Sequence, residues 1–219
     1  MGLSVNRKRI YRLLSENGLL VKADTRLLAK RTSGSRNKPR PERVNQWWGI
    51  DMTKVMTRDG WAYVVLVLDW YSKKVVGHYC GEQSKAWHWL AALNKAVNRQ
   101  FPGGIREAET ELNLMSDNGS QPTSRSFMET CAGLGIKQAL TAYNNPKGNA
   151  DTERMMRTLK EELCWLQEWQ SANELKTALD TFVENFNSDY LHSALGYKTP
   201  NAFEREHFEK QQATLNLAA

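Results

Sequence analysis

Trp47-Trp48-Gly49-Ile50-Asp51-Met52-Thr53-Lys54-Val55-Met56 is an apolar stretch that carries a single acid at its centre. β-branched and aromatic residues at this density read as a strand over Trp47–Met56. A carboxylate inside such a strand costs stability unless it is paired or solvated. Asp51 is therefore either turned to water by the strand's alternation or held for chemistry. Reading outward, Thr57-Arg58-Asp59-Gly60 is hairpin-turn chemistry. It joins this strand to a second, Trp61–Trp70, and Lys73–Cys80 reads as a third, giving an antiparallel meander.

The pattern then changes period. Ser84–Gln100 reads as a helix capped by Ser84, with Trp87, Leu90, Ala91, Leu93 and Val97 supplying its apolar surface, and Pro102-Gly103-Gly104 breaks it. Glu111–Ser116 is a strand ending at Asp117, Thr123–Gly133 a helix, Ile136–Leu140 a short strand and Asn144–Asn149 a polar loop. Helices over Asp151–Glu168 and Ser171–Phe186 follow, the second capped by Ser171. The order β-β-β-α-β-α-β-α-α is that of a mixed α/β fold, and no internal repeat is present.

Two further acids stand out by position. Asp117 ends an apolar strand in Leu114-Met115-Ser116-Asp117-Asn118-Gly119-Ser120, and Glu153 lies in the first turn or so of a helix in Asn149-Ala150-Asp151-Thr152-Glu153-Arg154. Each has a plain structural alternative. Asp-Asn-Gly is turn chemistry in its own right, and an acid near a helix N-terminus is favoured by the helix dipole. The functional reading is that Asp51, Asp117 and Glu153 are hard oxygen ligands for Mg²⁺ or Mn²⁺. A pair of such ions clamps the attacking and leaving oxygens of an in-line phosphoryl transfer. Asp151, two residues from Glu153, is a rival ligand, but it projects to a different helix face. Arg157 and Lys160 follow Glu153 at i+4 and i+7 and share its face, where the alternative is an ordinary solvated pairing with Glu161 or Glu162.

Composition narrows the class. Apolar residues make up 41% of the 219-residue chain and charged residues 25%, as in a globular protein with one well-buried domain and a small appendage. No apolar run is long enough to span a membrane, and Arg7-Lys8-Arg9 is followed by no continuous apolar segment of the secretory type. Cys80, Cys131 and Cys164 lack Cys-x-x-Cys spacing and read as buried thiols in a reducing cytoplasm. His78, His88, His192 and His207 show no zinc-finger spacing with them. The net charge of +6 is unevenly placed: residues 1–45 hold 12 Lys and Arg against Glu16, Asp24 and Glu42, a net +9, and the remainder is net −3. A basic arm of this kind is either a solvated tail or a phosphate-tracking segment. Within it, residues 5–16 place Ile10, Leu13 and Leu14 near one face of a short helix that stops near Gly18, with Arg7, Lys8, Arg9 and Arg12 available to DNA. A second short segment near Asp24–Lys30 pairs with it in this reading.

Taken together, Trp47-Trp48-Gly49-Ile50-Asp51-Met52-Thr53, Val67-Leu68-Asp69-Trp70-Tyr71-Ser72-Lys73-Lys74, Ser116-Asp117-Asn118-Gly119-Ser120-Gln121 and Asn149-Ala150-Asp151-Thr152-Glu153-Arg154 resemble the D,D(35)E core of bacterial insertion-sequence transposases, those closest to retroviral integrases. The 35 residues between Asp117 and Glu153 fit that spacing, and His192–Pro200 fits the family's closing motif. The resemblance covers about residue 5 to about residue 205. It implies a ribonuclease-H-like fold, a mixed five-stranded sheet flanked by helices, in which the Asp51 strand is central and the Asp117 strand lies beside it. It divides the chain into a basic helical DNA-binding segment over 1–30, a linker over 31–45, a catalytic core over 46–205 and a tail over 206–219. It makes Asp51, Asp117 and Glu153 catalytic, holding two Mg²⁺ or Mn²⁺ ions with Asp51 bridging them.

The same resemblance sets Asp69 outside the triad as a structural acid bonded to the nearby turn, and Asn118 and Gly119 as shapers of the Asp117 loop. It matches Lys160 to a basic residue that contacts DNA seven places after the Glu. His192 and Tyr197 become structural or DNA-facing, and Trp87 and Trp89 core or interface aromatics. The implied activity is metal-dependent DNA cleavage and strand transfer by a polynucleotidyl transferase. Its partners are the element's DNA ends and target DNA, bound by a homo-oligomer, in a cytoplasmic and nucleoid-associated protein encoded as the downstream part of a two-frame transposase. A ribonuclease-H-like hydrolytic nuclease and a catalytically silent DNA-binding remnant are the alternatives. Met115 and Pro122 stand where the family often has His and Tyr, which leaves the geometry of the substrate loop open. A zinc module like the N-terminal domain of retroviral integrases is excluded by the Cys and His spacing.

Overall fold

A computed structural model describes residues 6–20, 39–106, 111–141 and 146–218. The chain divides into two units, Met1–Asn37 and Lys38–Ala219. In the first, helix α1 spans Arg7–Glu16, and the Asn6 side chain caps it by accepting from the Lys8 amide at 2.9 Å. It ends at Asn17 and at Gly18, whose φ of +66° suits glycine alone without strain. None of its residues is buried, so its amphipathic face is not covered within the described part of this unit. The second segment expected near Asp24–Lys30 lies outside the described residues.

The larger unit is built on strands β1 (Trp47–Thr57), β2 (Gly60–Asp69), β3 (Val75–Gly81), β4 (Asn113–Ser116) and β5 (Lys137–Leu140), in the order β3-β2-β1-β4-β5. β1 pairs antiparallel with β2 through the expected Arg58-Asp59 turn and parallel with β4, so the Asp51 strand is central and the Asp117 strand is its neighbour. Helices α2 (Ala86–Gln100) and α3 (Arg125–Gly133) cover one face. There Trp48, Ile50, Val65 and Val67 pack with Trp89, Leu93, Leu114 and Phe127. Helices α4 (Ala150–Leu159) and α5 (Ala172–Ser188) cover the other, where Val64, Leu66, Leu68 and Met115 meet Met155, Leu159, Leu175 and Val183. This two-residue alternation along the strands separates the two cores.

The expected elements are present, with four differences. Ser84 does not cap α2: its hydroxyl lies 3.2 Å from the Trp89 indole nitrogen and accepts that proton, and the helix starts one residue later with the Lys85 amide donating to His88 Nδ1 at 2.9 Å. The helix expected over Asp151–Glu168 ends its regular part at Leu159 and finishes in a wide π-type turn, Lys160–Cys164. A helix not anticipated from sequence, α6, runs over Pro200–Ala218. Its Glu204 pairs with the buried Lys74 in the β2–β3 turn. Finally, Val44 and Asn45, assigned to the linker, are 4% and 5% exposed and pack as part of the folded unit.

Candidate active site

The first carboxylate is positioned by strand alternation. Gly49 and Asp51 share a face of β1, and Gly49 lies against Thr152 of α4, so Asp51 points to the α4 side of the sheet. The second is positioned by register. β1 and β4 pair Trp47 with Asn113, Trp48 with Leu114 and Gly49 with Met115. Continuing that register two places sets Asp51 across from Asp117, on strands about 4.8 Å apart. Asp117 itself follows the last residue of β4 and is exposed. Its carboxylate accepts the Gly119 amide at 3.0 Å, closing a turn in which the turn and the candidate-ligand readings coexist. A Cβ at Gly119 would stand 3.0 Å from the Asp117 carboxylate, so glycine leaves that acid its position. The Asn118 carboxamide donates to the Thr141 carbonyl and ties the same loop to the end of β5. Thr123 holds the loop from its other end, its hydroxyl donating to the Gly119 carbonyl at 2.7 Å.

The third comes from α4, with Glu153 exposed in its first turn. The electrostatics of Asp51 connect the three. Burial pushes its carboxyl up to about 6, the Met52 amide opposes this, the charges of Asp117 and Glu153 raise it further, and Lys160 lowers it. Asp51 thus feels both other candidate acids and one cation from the end of α4. Arg157 is exposed in the last turn of the same helix, and Lys160 is half-buried. Asp151 is turned elsewhere: its carboxylate lies 3.2 Å from Lys73 Nζ in the β2–β3 turn.

Three carboxylates with one nearby ammonium fit a hard divalent cation in donor type and charge. Among the described residues, no three His, Cys, Asp or Glu side chains are drawn together tightly enough to enclose an ion. Burial accounts for most of the rise of the Asp51 carboxyl, and the charges of Asp117 and Glu153 add to it.

This carries a sign. A carboxyl whose folded value exceeds its ordinary value is disfavoured as the ion. The folded chain then holds the extra proton between about pH 4 and pH 6, and stability falls as pH rises through that window. Asp51→Asn should therefore raise the melting temperature of the metal-free protein by a few degrees above about pH 6, and by little near pH 4. Thermal unfolding at the two pH values with a chelator present checks this; equal shifts at both would show that the Asp51 carboxyl is not raised in the folded chain.

Asp69 lies apart from this cluster. It is fully buried, and its carboxylate accepts from the amides of Tyr71 at 3.0 Å, Ser72 at 2.7 Å and Asn45 at 2.8 Å, and from the Ser72 hydroxyl at 2.9 Å. The His192 ring packs against Phe186 and Tyr190, whereas Tyr197 is exposed. Trp89 is a core residue and Trp87 is 57% exposed. Arg7, Lys8, Arg9 and Arg12 are exposed on α1, where Arg12 makes a loose 3.7 Å pair with Glu16. Sequence reading gave no part to Gly49, Trp70 or Thr152, which meet beneath the acids. A glycine inside a strand, a sign of close backbone approach, was the available signal.

A five-stranded mixed sheet with helices on both faces, one acid midway along its central strand and a second just past the end of the neighbouring strand, has the architecture of the ribonuclease-H-like class. Two family models, each described as an integrase core domain, match residues 41–146 and 134–200, and the chain belongs to the integrase core domain family. A transposase for insertion sequence element IS904 from Lactococcus lactis is 26% identical over 93% of this chain and 82% of its own length. An uncharacterized 31 kDa protein of insertion element IS600 from Shigella sonnei is 29% identical over 97% of this chain and 79% of its own. A putative transposase for IS986/IS6110 from Mycobacterium tuberculosis is 27% identical over 96% and 79%. Among solved structures, a chain of the simian T-cell lymphotropic virus intasome complex superposes with a TM-score of 0.61 at 17% identity, over 77% of this chain and 57% of that one. The HTLV-2 integrase catalytic core domain in complex with magnesium gives 0.57 at 19% identity, over 75% and 99%. These similarities establish the ribonuclease-H-like fold.

Proposed function

We infer that this chain is an insertion-sequence transposase, a DDE-type polynucleotidyl transferase that cleaves DNA and transfers a strand. The observation that carries the chemical part is the convergence on Asp51: a half-buried carboxylate that feels the charges of both Asp117 and Glu153. Asp51, Asp117 and Glu153 would hold Mg²⁺ or Mn²⁺, as two ions, which supply Lewis-acid stabilisation of the phosphoryl group and an activated oxygen nucleophile. Asp51, central in the sheet, would hold the metal together with Asp117. The chain's other residues bind and orient. Arg157 in the last turn of α4 and Lys160 just past its end would neutralise backbone phosphates. Asn118 and Gly119 fix the loop that presents Asp117. No Ser or Tyr nucleophile is needed, because water and then a DNA 3′-hydroxyl attack in turn.

The partners are the element's own DNA ends and target DNA. Relatives occur as an intasome and in dimeric and trimeric forms, which supports a homo-oligomer on DNA here. No helix among the described residues is long and apolar enough to cross a membrane, in keeping with a nucleoid-bound cytoplasmic protein. Residues 1–30 are proposed as the DNA-binding segment, with Arg7, Lys8, Arg9 and Arg12 on phosphates. The test is a labelled element end incubated with the protein, unlabelled target DNA and Mg²⁺ or Mn²⁺. Joined product is expected. Hydrolysis without joining would make the chain a nuclease of the same fold, and no reaction with either ion would make it a silent remnant.

A further inference from the structure

The N-terminal turn of α4 is set into β1 at a single point. A Cβ built on Gly49 would meet Thr152 Oγ1 at 1.9 Å, Trp70 Nε1 at 2.5 Å and Asn149 Oδ1 at 2.8 Å. The space a side chain would take is therefore filled by three polar groups from α4 and from the end of β2. All are deeply buried: Thr152 and Trp70 are 0% and 1% exposed, and Asn149 is 4% exposed. The Trp70 indole donates to Thr152 Oγ1 at 3.0 Å. Trp70 is in turn fixed to β1, stacked on Trp47 with centroids 5.7 Å apart and planes 9° from parallel, its amide donating to the Trp47 carbonyl at 3.0 Å.

Two members of this contact stand within two residues of a candidate acid in sequence, and the third, Trp70, follows the structural acid Asp69. Gly49 is two residues before Asp51 on the same strand face, and Thr152 precedes Glu153. A helix shifted by one residue along its axis moves by about 1.5 Å and turns by about 100°. Such a shift would take Thr152 out of the Gly49 niche and break its buried hydrogen bond with the Trp70 indole, which is costly. One setting of α4 on the sheet satisfies both the niche and the indole, and it is the setting that brings the Glu153 charge to bear on Asp51.

We propose that Thr152 is a positioning residue of the transposase: held by the Trp70 indole and admitted by Gly49, it sets the depth and rotation of α4 so that Glu153 faces Asp51 and Asp117. This rests on the reading of those three acids as the metal site. It assigns a reason for glycine at position 49 and for a hydroxyl at 152, and it places the metal site's geometry under the control of residues that contact neither metal nor DNA.

The test compares full-length Thr152→Val, Thr152→Ser, Gly49→Ala and Glu153→Gln. Three readouts are used: Mn²⁺ binding by calorimetry with the ion alone, the Trp70 indole resonance in a nitrogen–proton spectrum, and strand joining against Mn²⁺ concentration. Thr152→Val keeps shape and removes the acceptor. It should shift the indole resonance, weaken Mn²⁺ binding by about tenfold, as loss of a residue supporting metal ligands does, and raise the Mn²⁺ needed for half-maximal joining by a similar factor. DNA affinity should be unchanged. Thr152→Ser should restore all three readouts to within about twofold of the parent. Gly49→Ala should act in the same direction as Thr152→Val, since it displaces α4 sterically.

If Thr152→Val folds and binds Mn²⁺ and joins strands as the parent does, the positioning role is wrong and the contact serves stability alone. Should that variant fail to fold, Trp70→Phe, which keeps an aromatic ring beside Trp47 and removes the donor, decides in the same way. Glu153→Gln separates the two levels: a fully active Glu153→Gln overturns the acid assignment itself, whereas an inactive Glu153→Gln beside a normal Thr152→Val overturns only the positioning role.

Discussion

Asp51→Asn, Asp117→Asn and Glu153→Gln should each reduce strand joining by at least about a thousandfold, equivalent to about 4 kcal/mol of transition-state stabilisation. Each substitution preserves shape and removes the charge that would hold the metal. DNA affinity should change little, because phosphate contacts come from lysines and arginines. The three losses should also fail to add in double variants, since residues acting on one metal site act as a unit. Asp69→Asn provides the contrast. Its carboxylate accepts four hydrogen bonds inside the fold, and replacing one oxygen by an amide turns an acceptor into a donor facing donors. That variant should lose thermal stability while what remains folded keeps its metal dependence. Joining assays beside melting curves measure both. A triad variant with parental activity would mean that the acid was misassigned.

The second large effect concerns the basic arm. Sequence alone places the boundary at residue 45, but Val44 and Asn45 are buried, and the Asn45 amide donates to Asp69. Removing residues 1–37 is the cleaner cut, since these form a separate unit. They carry nine Lys and Arg against Glu16 and Asp24, a net +7. Each phosphate neutralised on duplex DNA contributes a slope of about −0.9 in log affinity against log salt. The truncated protein should lose several units of that slope and most of its affinity at low salt, with its melting temperature retained. Binding measured at a series of salt concentrations reads this directly. An unchanged slope would assign the phosphate contacts to Arg157, Lys160 and their neighbours and leave the arm a passive tail.

Much of this architecture is legible in the sequence, for identifiable reasons. Asp51 stood out because an acid in an apolar strand demands an explanation, and the Asp-Asn-Gly turn after β4 marked where that strand ends. The strand order followed from a meander plus the resemblance. What stayed hidden depends on contacts across long stretches of chain. The Trp70–Thr152 hydrogen bond joins residues 82 apart in sequence, and no local pattern reports it. Asn187 is similar: its carboxamide completes the edge of β3, accepting the Val75 amide and donating to the Val75 carbonyl, both at 2.9 Å, from a helix 112 residues away. The π-type turn at Lys160–Cys164 interrupts a stretch whose propensities are helical throughout. Helix α6 did leave a signal. Thr199 accepts the Ala202 amide at 3.2 Å and Pro200 opens the helix, a cap followed by proline at the first turn, within the stretch that resembles the family's closing motif.

The central claim is that Asp51 on β1 and Asp117, just past the end of the neighbouring β4, share a divalent metal that Glu153 completes when DNA is bound. Crystals soaked in Mn²⁺ and measured for anomalous scattering locate the ion directly. The expected result is a peak between the two aspartates at about 2.0–2.2 Å from their oxygens, with occupancy at Glu153 rising in the DNA complex. Carboxylates of Asp51 and Asp117 separated by more than about 8 Å in that DNA complex, with Mn²⁺ bound elsewhere or not at all, would contradict it, because paired catalytic metals lie only about 3.5–4 Å apart.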